Sequence, residues 1–300
     1  MQERRASDAS RAYIFGDLSL SPWTRPVLPL RPFTHPHARF SRRVYETDDV
    51  IDTYRQALKE WKEKNSARAD FTLKLIVSSI RALPEKHIAA DVDAAVSMIV
   101  NNKDLVVGFD IVAEEDPNHR TLDYIDTILA LKQTEIDTGV ELPLYFHDGE
   151  SDDRNNTNMI DAVLLGSRRV GHGFNSYYFP VLFDQMKEND ITLEVNPISN
   201  QVLRYVDDLQ VHPVNAFMAN GINVVISSDD PGIFGYSGLT LDMWTALVSF
   251  QLNLRSLKTL CVNSLLYSGL EGAELEGAMK AWESSWGDWI DGLVVEIDKK

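Results

Sequence analysis

Cysteine, positive charge and long apolar runs are all scarce in this sequence. Cys261 is the only cysteine among 300 residues, so the chain cannot form an internal disulfide. Asp and Glu number 45 against 29 Lys and Arg, and the resulting net charge of −16 argues against nucleic acid and anionic membrane surfaces as partners. No run approaches the roughly 18 consecutive apolar residues of a membrane span, so the sequence predicts none.

Two sequence signatures are also missing. The chain begins Met-Gln-Glu-Arg-Arg and has no apolar segment near its start, so no signal peptide is visible and the compartment stays unknown. No predicted strand is followed by a G-x-G-x-x-G pattern, and a dinucleotide-binding fold therefore has no support.

The pattern of the chain changes near residue 40. Residues 1–40 contain five of the 12 prolines and show no sustained periodicity, so we expect an irregular N-terminal segment followed by one domain over 41–300. In that domain, apolar runs alternate with helical segments, as in a parallel sheet that is covered on both faces. We predict six strands, at 71–77, 105–112, 144–146, 169–172, 191–195 and 223–227.

Six such strand–helix units fit two architectures, a doubly wound open sheet and a (β/α)₈ barrel that lacks two units. In a barrel, functional residues lie at the carboxyl ends of several strands. Polar and charged residues follow most of the predicted strands here, so we predict an α/β fold of the TIM-barrel kind that lacks its first two strands. The outer edges of the strands at 71–77 and 223–227 are then expected to be unpaired.

Three predicted strands end in residues that can carry chemistry. One ends at His147 with Glu150 three residues later, another delivers His172 between two glycines, and the last ends in Asp229 and Asp230. Each has a structural alternative: a turn with a solvated carboxylate, a hydrogen-bonded histidine, or an aspartate that caps a helix. We expect the three strand ends to meet in space. Structural roles alone rarely place two histidines and three carboxylates at the ends of three strands.

That set suits hydrolysis at an aromatic C–N bond. A metal held by ligands from separate strands turns a water into a nucleophile near neutral pH. A second histidine can orient or deprotonate that water, and a protonated glutamate can donate to a ring nitrogen.

Six motifs along the chain then point to a known family. The sequence resembles the adenosine deaminase superfamily, and most closely its secreted branch, the adenosine deaminase-related growth factors. The resemblance covers about residues 40–270, in family order, and lies in FTLKLI at 71–76, VGFDIV at 107–112, HDGE at 147–150, RVGHGF at 169–174, EVNPISNQV at 194–202 and ISSDDP at 226–231.

The resemblance implies one Zn²⁺ per chain, with His147 and Asp229 as ligands. It implies that His172 holds and polarises the attacking water, which Asp229 also contacts. Catalysis would therefore use His172 and Asp229 together with Glu150, the implied proton donor to N1 of the purine.

The resemblance also implies a substrate side to the site. Asp230 would accept a hydrogen bond from the purine at N7, and Gly149 belongs to the same substrate-binding set. We expect the chain to bind a purine nucleoside and to bind neither nucleic acid nor a membrane. A homodimer is an open alternative.

The chain departs from the family at four places. The first family strand ends in H-x-H and supplies two further zinc ligands, but His35-Pro36-His37 lies in a proline-rich stretch and is interpreted as a loop. The second family strand is missing as well, and these two departures suggest a truncated chain, a variant transcript or an incorrect gene model. Ala113 stands where the family has a glycine that contacts the purine, and Asp148 stands where it usually has alanine.

Three hypotheses follow for the function. The first is zinc-dependent hydrolytic deamination of adenosine or 2′-deoxyadenosine to inosine or 2′-deoxyinosine and ammonia. The second is a catalytically impaired barrel that acts as a binding or growth-factor-like protein because the H-x-H pair is missing. The third is a related amidohydrolase that acts on another substrate.

Overall fold

Parallel strands dominate the structure, a computed structural model that describes residues 13–17, 47–66 and 71–297. The backbone alone is described for 13–17. The strands in this part of the chain are β1 Tyr13–Asp17, β2 Lys74–Ile80, β3 Val106–Val112, β4 His147–Asp148, β5 Arg169–His172, β6 Thr192–Val195 and β7 Asn223–Ile226.

The strands from β2 onward run parallel to one another in the order of the chain. One sheet has the order β1-β2-β3 and the other the order β4-β5-β6-β7. A parallel bridge between Phe109 and Leu144 connects β3 to the segment that leads into β4. The carboxyl ends of β2 to β7 therefore lie along the same edge, which is where parallel α/β folds place their sites.

Helices follow most of the strands, as predicted. They are α1 Thr47–Lys64, α2 Glu85–Asn101, α3 Ile125–Thr138, α4 Asn158–Leu164, α5 Phe183–Glu188, α6 Pro197–Val202, α7 Val214–Ala219, α8 Thr240–Ser249, α9 Leu254–Leu266 and α10 Gly272–Ile297. Short 3₁₀ turns lie at Thr121–Tyr124, Phe174–Tyr178, Pro180–Leu182 and Leu209–Val211. None of these described helices combines the length and apolar character that crossing a bilayer requires.

Two apolar cores lie between the strands and their helices. The first surrounds β2 and β3 and includes Leu75, Val77 and Phe109, which pack with residues of α2 and α3. The second surrounds β5 to β7 and includes Val170 and Leu193, which pack with residues of α4, α5, α7, α8 and α9. Six of the seven residues of β2 are buried in succession, so both faces of this strand are covered, as the apolar run predicted.

The N-terminal edge of the sheet differs from the prediction. Tyr13–Asp17 pairs antiparallel with β2, from Tyr13 opposite Ser78 to Asp17 opposite Lys74, so the expectation of an unpaired outer edge at 71–77 is wrong. The segment can form a strand because it is rich in aromatic and β-branched residues and ends before Pro22, the first proline of the chain. His35 and His37 lie outside the described residues, and the division at residue 40 stays a prediction.

The other end of the sheet follows the prediction. Within the described residues, β7 is paired with β6 alone. Helix α9 packs beside it, and the side-chain amide of Asn263 donates to the main-chain oxygen of Val224 at 2.9 Å. The structure thus shows an α/β fold with consecutive parallel strands from β2 to β7.

Candidate metal and catalytic site

The three strand ends meet at the carboxyl edge of the sheet. His172 ends β5, where it lies beside β4, with Asp148 as its register partner. The rings of His147 and His172 are 5.3 Å apart between centroids. Nε2 of His172 lies 3.5 Å from Oε1 of Glu150 and 3.7 Å from Oδ2 of Asp229. Two histidines and two carboxylates from separate strands therefore share one site.

The closest group of potential metal-ligand atoms in the described part of the chain belongs to Glu150, His172 and Asp229. One ligand atom from each of these residues lies within 4.8 Å of the others. His147 stands next to this group through its ring contact with His172. A carboxylate–imidazole set of this kind suits Zn²⁺, which takes nitrogen and oxygen ligands.

Asp110 on β3 fixes the orientation of His147. Its Oδ1 accepts the main-chain N–H of His147 at 2.9 Å, and its Oδ2 lies 2.7 Å from Nδ1 of the ring. Burial disfavours the charged ring, but Asp110, with Glu194 and Glu150 nearby, outweighs it and raises the pKa of His147 to about 10. A carboxylate on one ring nitrogen is the usual support for a histidine that binds metal through the other.

Asp110 was not singled out from the sequence, although it lies within one of the quoted motifs. The available signal was its position inside a buried apolar strand, because a buried carboxylate requires a hydrogen-bonding or charged partner. The identity of that partner depends on the pairing of separate segments, which residue spacing alone does not give.

Two glycines provide the space that the site needs. A Cβ at Gly171 would lie 2.7 Å from Cγ of His147, so only glycine at this position lets the ring lie across β5. At Gly149, φ is +76° and a Cβ would lie 2.7 Å from Oδ1 of Asn175. The turn between His147 and Glu150 therefore requires glycine on both counts.

Two of the site residues have a backbone conformation that side-chain-bearing residues rarely adopt. φ is +61° at His172 and +55° at Asp229. Such left-handed residues cost of order 1–3 kcal/mol and cluster at functional sites. Ala113, after β3, is a third case with φ of +86°, at the position where the resemblance implied a glycine.

The loop that carries Glu150 is held by Glu115, which follows β3. Oε1 of Glu115 accepts the main-chain N–H of Glu150 at 2.7 Å. Its Oε2 accepts the side-chain amides of Asn156 at 2.7 Å and Asn158 at 2.9 Å. The sequence marks Glu115 as one of the polar residues at strand ends, but gives no indication that it supports Glu150.

Burial raises the pKa of the Glu150 carboxyl, and the charges of Asp229 and Glu115 add to that rise. The two site histidines oppose it. Burial also raises the pKa of Asp230, and its neighbour Asp229 raises it further. Both carboxyls are therefore easier to protonate than a solvated carboxyl, as a proton donor to a ring nitrogen needs to be.

Asp148, the departure from the family motif, has a buried cationic partner. Its Oδ1 accepts hydrogen bonds from Arg81 at 2.9 Å and from Thr121 at 2.6 Å. Arg81 also donates to the main-chain oxygen of His147. Burial, reinforced by Glu115, raises the pKa of Asp148 to about 8 despite Arg81. Asp148 thus adds a buried hydrogen-bonded contact with Arg81 directly behind the candidate metal ligand.

Known proteins resemble this chain over most of its length. The family model described as Adenosine deaminase matches residues 32–277. Adenosine deaminase 2 of Sus scrofa is 36% identical over 272 residues, which are 89% of this chain and 52% of that protein. Adenosine deaminase 2 of Homo sapiens is 35% identical over 80% of this chain and 47% of its own length. The chain spans about half the length of the curated relatives it matches.

Solved structures with lower identity share the fold. An amidohydrolase from Burkhoderia ambifaria, with bound Zn, superposes with a TM-score of 0.63 at 21% identity, covering 73% of this chain and 58% of that one. The apo N6-methyl-AMP deaminase from Arabidopsis thaliana superposes with a TM-score of 0.59 at 17% identity, covering 71% of this chain and 59% of that one.

Proposed function

Because the chain belongs to the adenosine deaminase family, we propose that it takes part in hydrolytic deamination of adenosine or 2′-deoxyadenosine, releasing ammonia and inosine or 2′-deoxyinosine. The observation that carries the proposal is the meeting of His147, Glu150, His172 and Asp229 at one edge of the sheet. The relatives are named adenosine deaminases, and these names support adenosine and its 2′-deoxy form as the substrate class.

In this proposal His147 and Asp229 hold a zinc ion. The support for His147 is its contact with Asp110, which occupies Nδ1, so that the metal would be bound through Nε2. The support for Asp229 is its place in the cluster of ligand-type atoms. When bound, zinc would lower the pKa of a water enough for attack near neutral pH.

The remaining groups would move protons and hold the substrate. Glu150 donates a proton to N1 of the purine, which its raised pKa favours. His172 contacts the attacking water, because its Nε2 faces the carboxylates of Glu150 and Asp229. In its protonated form, which its raised pKa favours, Asp230 would donate a hydrogen bond to N7. N7 of adenosine carries no hydrogen, so the direction expected from the resemblance is reversed. Gly149 lets the loop pass close to the substrate.

The fold that suits this chemistry is a (β/α)₈ barrel of the metal-dependent hydrolase kind. Six parallel strands in chain order, β2 to β7, support it. Catalytic zinc sites normally have three protein ligands, and His147 with Asp229 supplies two.

A substrate panel tests the proposal. The chain is incubated with Zn²⁺ and either adenosine, 2′-deoxyadenosine, AMP or guanine, and ammonia release is measured. The proposal predicts turnover of the first two and far less of the others. Preferred turnover of AMP or guanine would instead support an amidohydrolase with another substrate.

The ligand count favours a second candidate function, a catalytically impaired binding protein. Weak zinc binding would follow from a site with two protein ligands. Equal receptor or glycan binding by the wild-type chain and by Glu150→Gln, with no ammonia release from any member of the panel, would support that candidate.

A further inference from the structure

A buried chain of hydrogen bonds leads from the second core to the ring of His172. Nε2 of His212 lies 3.0 Å from Oδ1 of Asn200, and Nδ2 of Asn200 lies 3.2 Å from Nδ1 of His172. The three residues are 3%, 1% and 2% exposed, respectively. Contacts this deep between polar groups must satisfy one another, because water does not reach them.

The direction of each bond follows from one fixed donor. The main-chain N–H of Val214 donates to Nδ1 of His212 at 3.1 Å. A neutral imidazole that accepts at Nδ1 carries its proton on Nε2, so His212 donates to Oδ1 of Asn200. The amide of Asn200 then presents its NH₂ group to His172.

His212 keeps this role because it stays neutral. It lies against the rings of Phe174 and Phe250, at centroid distances of 5.2 and 5.4 Å. Burial lowers the pKa of His212 to about 4. The ring is therefore an acceptor at Nδ1 and a donor at Nε2 throughout the neutral pH range.

A second amide, that of Asn196, lies close to both nitrogens of the His172 ring. Nδ2 of Asn196 lies 3.3 Å from Nδ1 of His172 and 3.4 Å from its Nε2. Because these two distances are nearly equal, the amide of Asn196 does not distinguish the two ring nitrogens. The Nδ1-specific contact is that of Asn200, which brings an N–H donor to Nδ1 and no acceptor for a proton there.

We propose that Asn200 and His212 are positioning residues that fix the neutral His172 as the Nε2–H tautomer. The inference deepens the proposed deamination, on which it rests. In this tautomer the ring directs an N–H toward Oε1 of Glu150 and Oδ2 of Asp229. Neutral His172 would therefore act on the attacking water as a hydrogen-bond donor, and would not remove its proton at Nε2.

The tautomer can be measured without turnover. The ¹⁵N-histidine-labelled chain, treated with EDTA, is examined near pH 7.5 by long-range ¹H–¹⁵N NMR, which distinguishes the Nε2–H form from the Nδ1–H form. The signals of His172 and His212 are assigned by their loss in His172→Gln and His212→Gln. We expect the Nε2–H pattern for both residues in the wild-type chain.

Asn200→Asp is the decisive variant. A carboxylate at this position still accepts from His212 but replaces the NH₂ donor with an acceptor, so the Nδ1 of His172 should become protonated. Gln201→Glu makes the same amide-to-acid change one residue along α6, at an exposed side chain, and should leave both tautomers unchanged. His212→Gln retains an N–H donor near the Nε2 position and should preserve the Nε2–H pattern of His172, whereas His212→Leu should weaken it.

Two results would overturn the proposal: an Nδ1–H pattern for His172 in the wild-type chain, or an Nε2–H pattern that survives Asn200→Asp. If Asn200→Asp does not fold, the wild-type pattern and the comparison of His212→Gln with His212→Leu decide the question. Absence of turnover together with the expected tautomers would count against the proposed function and leave this assignment standing.

Discussion

Asp110 holds His147 at two points, accepting its main-chain N–H at 2.9 Å and lying 2.7 Å from its Nδ1. Asp110→Asn keeps the size of the side chain but removes its charge, so the ring should be held less firmly for a metal. We expect zinc affinity to fall about 10–100-fold, as is typical when such outer partners of a metal-binding histidine are changed.

Competition with a chromophoric chelator would measure that affinity. Asp93→Asn, on the exposed face of α2, provides a matched control and should bind zinc like the wild-type chain. Unchanged affinity in Asp110→Asn would mean that His147 does not bind the metal through the orientation described here.

Glu115 should matter for stability as well as for the loop of Glu150. Glu115→Ala leaves two donors without an acceptor, namely the N–H of Glu150 and the amide of Asn158, whereas the amide of Asn156 keeps its contact with Asp116 at 3.0 Å. Each buried unsatisfied donor costs about 1–3 kcal/mol, so we expect at least about 2 kcal/mol of destabilisation in urea unfolding.

Glu115→Gln tests whether the hydrogen bonds or the charge account for that loss. It retains one oxygen for the N–H of Glu150 and should cost less than half as much as Glu115→Ala. Equal losses in the two variants would show that the negative charge, and not the acceptor positions, holds the loop.

Ala113 is a position where glycine should be more stable. Its φ of +86° costs an L-residue roughly 1–2 kcal/mol, while glycine would lose about 0.4–1 kcal/mol through the greater freedom of the unfolded chain. Ala113→Gly is therefore expected to raise the free energy of unfolding by up to about 1 kcal/mol. The control Ala281→Gly, at an exposed position in the interior of α10, should lower it by about 1 kcal/mol. A loss of stability in Ala113→Gly would contradict the strained backbone.

His212 should make the fold sensitive to acid. Its pKa is about 4 in the folded chain and near 6.5 in an unfolded one. Between these values the unfolded state binds the extra proton, so stability falls as the pH drops from about 6.5 to 4. The difference between the two pKa values corresponds to a loss of about 3 kcal/mol in the free energy of unfolding near pH 4. His212→Gln should remove this part of the pH dependence, which urea unfolding at pH 7 and pH 4.5 would measure. A pH dependence unchanged by the substitution would exclude a buried neutral His212.

The sequence predicted those parts of the structure that depend on local pattern. Apolar runs located the parallel strands from β2 to β7 except β4, which lies at His147–Asp148, directly after the predicted range 144–146. The residues after these runs identified His147, His172 and Asp229 as neighbours in space. Family membership, which the quoted motifs predicted, is confirmed by the family model and the curated relatives.

The parts that the sequence did not reveal depend on contacts between distant segments. Asp110 meets His147 across 37 residues, and Arg81 meets Asp148 across 67. The antiparallel strand at Tyr13–Asp17 is short and lies among residues with no regular period, so nothing local indicated its pairing with β2. No local pattern links His212 to His172, because the connection runs through Asn200.

One paired measurement tests the central claim most directly: zinc content and inosine formation from adenosine, determined on the same preparations of the wild-type chain, Glu150→Gln and Asp229→Ala. Glu150 is not a proposed ligand, so Glu150→Gln should keep its zinc and lose about 10²–10⁴-fold in turnover, as expected when general acid catalysis is lost. Asp229→Ala should lose both zinc and turnover. Turnover in Glu150→Gln close to that of the wild-type chain, with zinc bound, would contradict the proton-donor role on which the account depends.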